Sequence, residues 1–208
     1  LKRWPEAAAA IRRAIDLEPD RGRSYLVLSM IERCQGNHAA ALQALNDCID
    51  RDLELDRSYH HLGLIHERLK NRTQAMAAFE AAIDANPRYA RAHASLGQAY
   101  RSEGNPQEAE RCLRRAAELR PDLTEAWIGR AELAIDRGDQ SEAGELLEEA
   151  LRQRPEDPRA NTLMGRLHAR AGRTAEAMVC YRRLVEQGDD DAGTLLSLIF
   201  PGKSTPSS

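Results

Sequence analysis

Aromatic residues are scarce: two Phe, two Trp and five Tyr make up 4% of the 208 residues. A β-sandwich or barrel draws on Val, Ile, Thr and aromatics. Their shortage beside abundant Ala and regularly placed Gly and Pro leaves an all-α fold packed through small side chains. Lysine is nearly missing too, with Lys2, Lys70 and Lys203 the only three, and the remaining cations are arginines, whose planar fork suits carboxylates. Thirty basic residues against 33 acidic ones give a formal charge of -3, which excludes the basic footprint of a nucleic-acid binder. Cys34, Cys48, Cys112 and Cys180 are far apart, without a C-x-x-C pair, so reduced thiols in a cytoplasmic setting are expected. No run of about 18 apolar residues is present to cross a bilayer. No secretory signal opens the chain, and a start at Leu1 rather than Met is expected of an excised or processed piece.

What the chain does have is a period. Ala7, Ala41, Ala75, Ala109, Ala143 and Ala177 are each 34 residues from the next, and no insertion breaks the register. The blocks are 22–55, 56–89, 90–123, 124–157 and 158–191, preceded by a half block over 1–21. Ser29, Gly63, Gly97, Ala131 and Gly165 form a second small column, and Ala14, Cys48, Ala82, Ala116 and Ala150 a third. Large residues such as Leu28, Leu62, Leu96 and Met164, or Leu45, Phe79, Leu113 and Leu147, fill the neighbouring columns. Small set against large makes an interlocking helix contact.

The punctuation repeats as well. Gly36, Gly104, Gly138 and Gly172 supply positive φ where the first helix of a block ends. Asn105 followed by Pro106 and Glu108, and Asp139 followed by Glu142, read as capping boxes, with Asn71 and Gln74 an approximation. Pro19, Pro87, Pro121 and Pro155 close the second helices. Each block is therefore helix, tight turn, helix.

The Tyr25/Tyr59/Trp127 column, the Leu-Gly pairs 62–63 and 96–97, Tyr100, the Ala column, Phe79 and the closing prolines resemble the tetratricopeptide repeat over residues 1 to 191. The resemblance implies a right-handed α-solenoid of antiparallel helix pairs. Residues 1–21 would supply the second helix of a partial repeat, 22–191 five full repeats, 192–200 a capping helix, and 201–208 a disordered tail. Departures are Lys70 at a turn-glycine place, Arg130 at a large apolar place, and Asn161 at the aromatic place, each expected to weaken local packing.

No catalytic residue, cofactor or metal site is expected. Gly202 to Thr205 reads GKST, the end of a phosphate loop, but Ser197 holds the earlier Gly place and Pro206 forbids the following helix. His60, His61 and His66 lack the i, i+4 pair that zinc on one helix needs. His66 and His168 are read as packing residues with one hydrogen bond each. Glu142, Glu145, Glu148 and Glu149 read as a solvated helix face, one of which could pair with Arg130. Cys48 belongs to the core, and Cys34 is the exposed thiol.

In the resembled family, first helices line a concave groove that holds extended peptides or partner helices. The residues expected to bind there are Arg23, Arg57, His60, His61, Leu64, Arg91, Gln98, Arg101, Arg159 and Arg166. Leu26, Met30, Ile128 and Thr162 would add mixed apolar contact, and Glu125, Glu132 and Asp136 would interrupt the ladder with an acidic band. Two readings stand for the recurring arginines, a basic ladder for an acidic partner or an ordinary solvated helix edge paired with Glu32, Glu67 and Glu103. The Lys and Asn places that chaperone-binding members use for a C-terminal carboxylate hold Leu26, Met30, His61, Arg91 and Ser95 instead. A non-catalytic scaffold that binds protein or peptide is the leading expectation. The alternatives are the recognition region of a larger enzyme, such as a bacterial transferase or hydroxylase, and self-association through the uncovered N-terminal helix.

Overall fold

The computed structural model describes residues 3–201, so Gly202 to Ser208, with the GKST segment and nearly all of the expected tail, lie outside the described residues. The described residues form twelve helices joined by short turns: α1 Trp4–Leu17, α2 Gly22–Cys34, α3 His38–Ile49, α4 Leu55–Arg68, α5 Arg72–Ala85, α6 Ala90–Ser102, α7 Pro106–Leu119, α8 Thr124–Arg137, α9 Gln140–Gln153, α10 Pro158–Arg170, α11 Thr174–Gln187 and α12 Asp191–Ile199. No strand occurs among them. The fold class is all-α, with antiparallel pairs of the α-solenoid kind. The chain divides into two compact units between Glu103 and Gly104, so that α6 packs with the first unit and α7 with the second.

Within each unit the pairs close over side-chain-free positions. A Cβ on Gly63 of α4 would overlap the Phe79 ring of α5, and one on Gly165 of α10 would come within 2.5 Å of Leu195 of α12. Phe79, Leu45, Leu113, Leu147, Ala41, Ala75, Ala109 and Ala143 are each fully or almost fully buried, as the small-and-large columns require. In the first unit Ala8, Leu28, Ile31 and Ala44 make one cluster, against which Trp4, Ala7, Ile11 and Ile15 of α1 pack. The apolar side of α1 thus rests on α2 and α3, which leaves Leu17, 83% exposed, as its large apolar surface residue.

The turns follow one pattern. After α2, the Gly36 N–H donates to Arg33 O (3.0 Å) and the Asn37 N–H to Glu32 O (2.9 Å), with Gly36 at φ 81°. After α4, Lys70 repeats both bonds, from Lys70 N to Glu67 O and from Asn71 N to His66 O, each 2.9 Å, at φ 62°. The lysine is forced into the left-handed region by the register of its neighbours. Of the expected capping boxes, Asp139 closes on the Glu142 N–H at 3.0 Å, and Asp157 similarly caps α10 through the Ala160 N–H at 3.1 Å. Asn71 and Asn105 make no side-chain cap bond, and Glu108 pairs with Arg111 instead. The caps that close are carboxylates, whose charge the positive end of the helix favours over a neutral amide.

The fourth position of four of the five blocks carries a tie that aromaticity conceals. Tyr25 Oη donates to Pro19 O (3.0 Å), Trp127 Nε1 to Pro121 O (2.7 Å) and Asn161 Nδ2 to Pro155 O (2.9 Å), and His93 Nε2 lies 3.0 Å from Pro87 O. The column selects a donor able to reach the carbonyl six residues back. Asn161, expected to weaken packing, is instead fully buried, with a second bond to Asp157 O and its Oδ1 accepting from Arg183. In the second block Leu53 stands at the proline place, and the chain enters α4 through Asp52 and Glu54, both at positive φ.

Arg130 is likewise satisfied, though by Glu110 of α7 (3.2 Å) rather than by the 142–149 carboxylates, with Trp127 beneath its guanidinium at 5.7 Å. The corresponding positions in the first unit hold Leu42 and Leu62, both packed against the Leu26, Ala41, Leu45 and Ile65 cluster, so a polar pair stands where two apolar side chains serve elsewhere.

Replacing Lys70 by Gly removes the left-handed strain and is expected to raise stability by about 0.5–1 kcal/mol in urea unfolding. Asn161→Leu leaves the Pro155 carbonyl and Arg183 without their partner, and is expected to lower stability by about 1–3 kcal/mol.

Candidate functional site

A helix turns once every 3.6 residues, so in each block the second, sixth and ninth positions lie opposite the fourth and eighth, which face the second helix. In the first unit this stripe holds Arg23 and Met30 on α2, Arg57, His61 and Leu64 on α4, and Arg91, Ser95 and Gln98 on α6. Arg33 and Arg101 extend it by a turn. Arg23, Arg57 and Arg91 are exposed, and Arg33, His61, Leu64, Gln98 and Arg101 are half-buried. Met30 is 44% exposed, a large apolar residue left in the open.

The fifth position behaves differently from expectation. His60 is only 5% exposed and sits between α4 and α6, its Nε2 3.1 Å from Ser95 Oγ and its Nδ1 3.5 Å from Tyr89 Oη. The Tyr89 ring meets it edge-on at 5.3 Å, and the Phe79 ring lies at 5.7 Å. Burial lowers its pKa to about 3, helped next by repulsion from His61 and then from Arg91, so the ring is neutral. His60 is therefore a packing residue and is withdrawn from the ligand-contact set. Leu26 and Ile128, at the same position of α2 and α8, are buried as well and offer a ligand no surface.

His61 remains on the stripe. Burial lowers its pKa first, and the positive charges of Arg33, Arg91 and Arg57 lower it further. Three arginines from three successive first helices thus bear on one imidazole. Arg57 is engaged with Glu54 at 2.8 Å. Among the described residues Arg23, Arg33 and Arg91 have no carboxylate partner, and Arg33 Nε is buried without a hydrogen bond. The first unit therefore carries local positive charge that the chain does not neutralise.

In the second unit one member of the ladder, Arg159, is neutralised within the chain. Arg159 of α10 grips Glu132 of α8 with both arms of its guanidinium, at 2.6 to 2.9 Å, and Glu132 is 8% exposed. This pairing takes Arg159 out of the set of open cations. Arg166 is exposed on the same helix, and Thr162 lies 3.5 Å from Asp191. Of the expected arginine ladder, Arg23, Arg33 and Arg91 in the first unit and Arg166 in the second stand without a carboxylate partner among the described residues, while Arg57 and Arg159 are paired. A comparable pair, Arg12 with the buried Glu32, ties α1 to α2.

Other reactive residues have structural surroundings. Cys48 donates to Leu53 O at 3.2 Å, and burial raises its pKa. Burial also lowers the pKa of His66 and His168, and Nδ1 of each is buried with no hydrogen-bond partner, unlike the single bond expected for them. Among the described residues no group of three His, Cys, Asp or Glu is placed to hold a metal, and no helix is long and apolar enough to cross a membrane.

Profiles of the tetratricopeptide repeat match residues 1–52, 61–123, 95–158 and 134–199. The chain belongs to the tetratricopeptide repeat family. Several solved structures share the fold of this tetratricopeptide chain at low identity. The Cut9–Hcn1 hetero-tetramer of the APC/C aligns with a TM-score of 0.81 and 16% identity, over 95% of this chain and 40% of that one. PilW, a type IV pilus biogenesis factor, aligns at 0.75 and 19%, over 93% and 90%. The thermophilic repeat protein TTC0263 of Thermus thermophilus gives 0.71 and 19%, over 86% and 98%, and YrrB, described as having an unusual peptide-binding site, gives 0.60 and 20%, over 89% and 96%. No curated protein sequence matches. A tetratricopeptide fold supports a general role as a protein-interaction scaffold.

Because His60 is neutral when folded and titrates near 6.5 when unfolded, the unfolded chain binds its proton first as pH falls. The stability this ring contributes is present above about pH 6.5 and is lost towards about pH 3, at up to about 1.4 kcal/mol per pH unit. His60→Gln is expected to flatten the dependence of the urea midpoint on pH between about 6.5 and about 4.

Proposed function

We propose that the first unit of this scaffold binds an extended acidic segment of a partner protein along the stripe of α2, α4 and α6. The observation that carries the reading is the pair of uncompensated arginines, Arg33 and Arg91, grouped with Arg57 around His61, with Arg23 and the exposed Met30 on the same stripe of α2. A solvated helix edge would be expected to pair these cations within the chain, as the second unit does with Arg159 and Glu132. Carboxylates of the partner would meet the arginines, and an apolar residue between them would rest on Met30 and Leu64. Gln98 and Arg101 of α6 would border the same segment. YrrB, which shares the fold, is described as having a peptide-binding site, and this supports the class of ligand without identifying it.

One exposed ion pair contributes only about 0–1 kcal/mol, so the affinity must come from several cations acting together with the apolar anchor. An acetylated, amidated (Asp-Asp-Leu)3 peptide, followed by fluorescence anisotropy, is expected to bind in low salt and to weaken steeply as salt rises. The Arg57→Ala, Arg91→Ala, Arg101→Ala triple variant is expected to lose about tenfold or more in affinity. An unchanged affinity in that variant would remove the site assignment.

A further inference from the structure

The acidic-ligand seat has an ionisable residue at its centre. We propose that His61 takes up a proton when a carboxylate-rich segment binds among Arg33, Arg57 and Arg91, so that binding to the first unit strengthens as pH falls. This inference rests on the acidic-ligand reading above and adds a mode of regulation to it.

The placement carries the argument. His61 is half-buried at the sixth position of α4, with Arg57 one turn earlier on its own helix, Arg33 on α2 and Arg91 on α6. The remaining titratable neighbour is His60, whose ring centroid is 5.8 Å away and which stays neutral because it is buried between Tyr89 and Phe79. The acids at the start of α4 are engaged by other partners. Glu54 is engaged by Arg57, and Asp56 accepts a hydrogen bond from Asn86 Nδ2 at 2.8 Å. In the free protein, then, His61 faces cations from three helices, and both burial and those charges disfavour its protonated form. Arg33 Nε is buried with no hydrogen-bond partner, so no acceptor within the chain offsets the positive charge of this side chain there.

A carboxylate laid on these arginines cancels the field that keeps the imidazole neutral and puts an anion beside the ring. Both effects favour imidazolium, which then offers the ligand another N–H donor. The proton comes from solvent and resides on a ring nitrogen of His61. The sign follows from linkage. The bound state has the higher pKa, so affinity rises as pH drops through the interval between the bound and free values, by at most about tenfold per pH unit for one proton. Only His61 changes charge within the seat over this range, because His60 stays neutral and the arginines stay charged.

The test is calorimetric titration of the full chain with N-acetylated, C-amidated hexa-aspartate, whose side chains, with an ordinary pKa of about 3.9, stay ionised from about pH 7.5 to about 5.5. Each pH is measured in two buffers of different ionisation enthalpy, which counts protons taken up. The expected result is uptake approaching one proton and a rise in affinity of about 3- to 30-fold between about pH 7.5 and about 5.5. His61→Gln, checked for its helical circular dichroism, is expected to lose the proton uptake and to bind with an affinity that no longer changes between about pH 7.5 and about 5.5. Binding that is independent of pH, or uptake that persists in His61→Gln, overturns the proton coupling while leaving the acidic-ligand reading in place. No binding of hexa-aspartate by the wild type at any of these pH values overturns both.

Discussion

Two helices in a pair approach as closely as the side chains between them allow, and here that distance is set where there is no side chain at all. The Phe79 ring lies in space that any Cβ on Gly63 would need, and Leu195 uses the same opening over Gly165. With the apolar residues of α4 committed to α5, the opposite stripe of the helix is released from packing. It can then hold charge and hydrogen-bonding groups such as Arg57 and His61 without cost to the core. A methyl group at Gly63 would shift the backbone on which those side chains stand, so contact geometry and surface chemistry are linked through one helix.

Polar groups inside the units are handled locally. The fourth-position donor reaches a carbonyl six residues back whether it is phenol, indole or amide. Arg130 and Glu110 take a place that Leu62 and Leu42 fill in the first unit. Such exchange is tolerated because a repeat touches only its immediate neighbours, so a change needs compensation across a single contact. His60 shows the same logic. The fifth position is an inward one, and Ser95 and Tyr89 supply partners for both nitrogens of the ring that occupies it.

Much of this was legible in the chain because the deciding information is local. Gly36, Gly138 and Gly172 announce their turns, Ala75 and Phe79 announce a pair of helices, and Asp139 with Glu142 announces a cap. The 34-residue register even places Lys70 in a conformation its own chemistry disfavours. What could not be read was anything decided by a partner from another repeat. The burial of His60 depends on α6, the neutralisation of Arg159 on a glutamate 27 residues earlier, and the role of Asn161 on a carbonyl whose direction only the folded turn defines. The second-position column of arginines looks uniform in sequence. Its members differ because Arg91 meets no acid while Arg159 does.

The helix α12 carries a consequence for extending the molecule. Leu195 falls 34 residues after Asn161, in the column where a further block would place its carbonyl-seeking donor, and it fills the opening over Gly165 with hydrocarbon. Grafting another repeat behind α11 therefore means exchanging nine residues, Asp191–Ile199, and not merely appending a further block. In engineering terms α12 already occupies the ground over Gly165 on which an added block would have to sit.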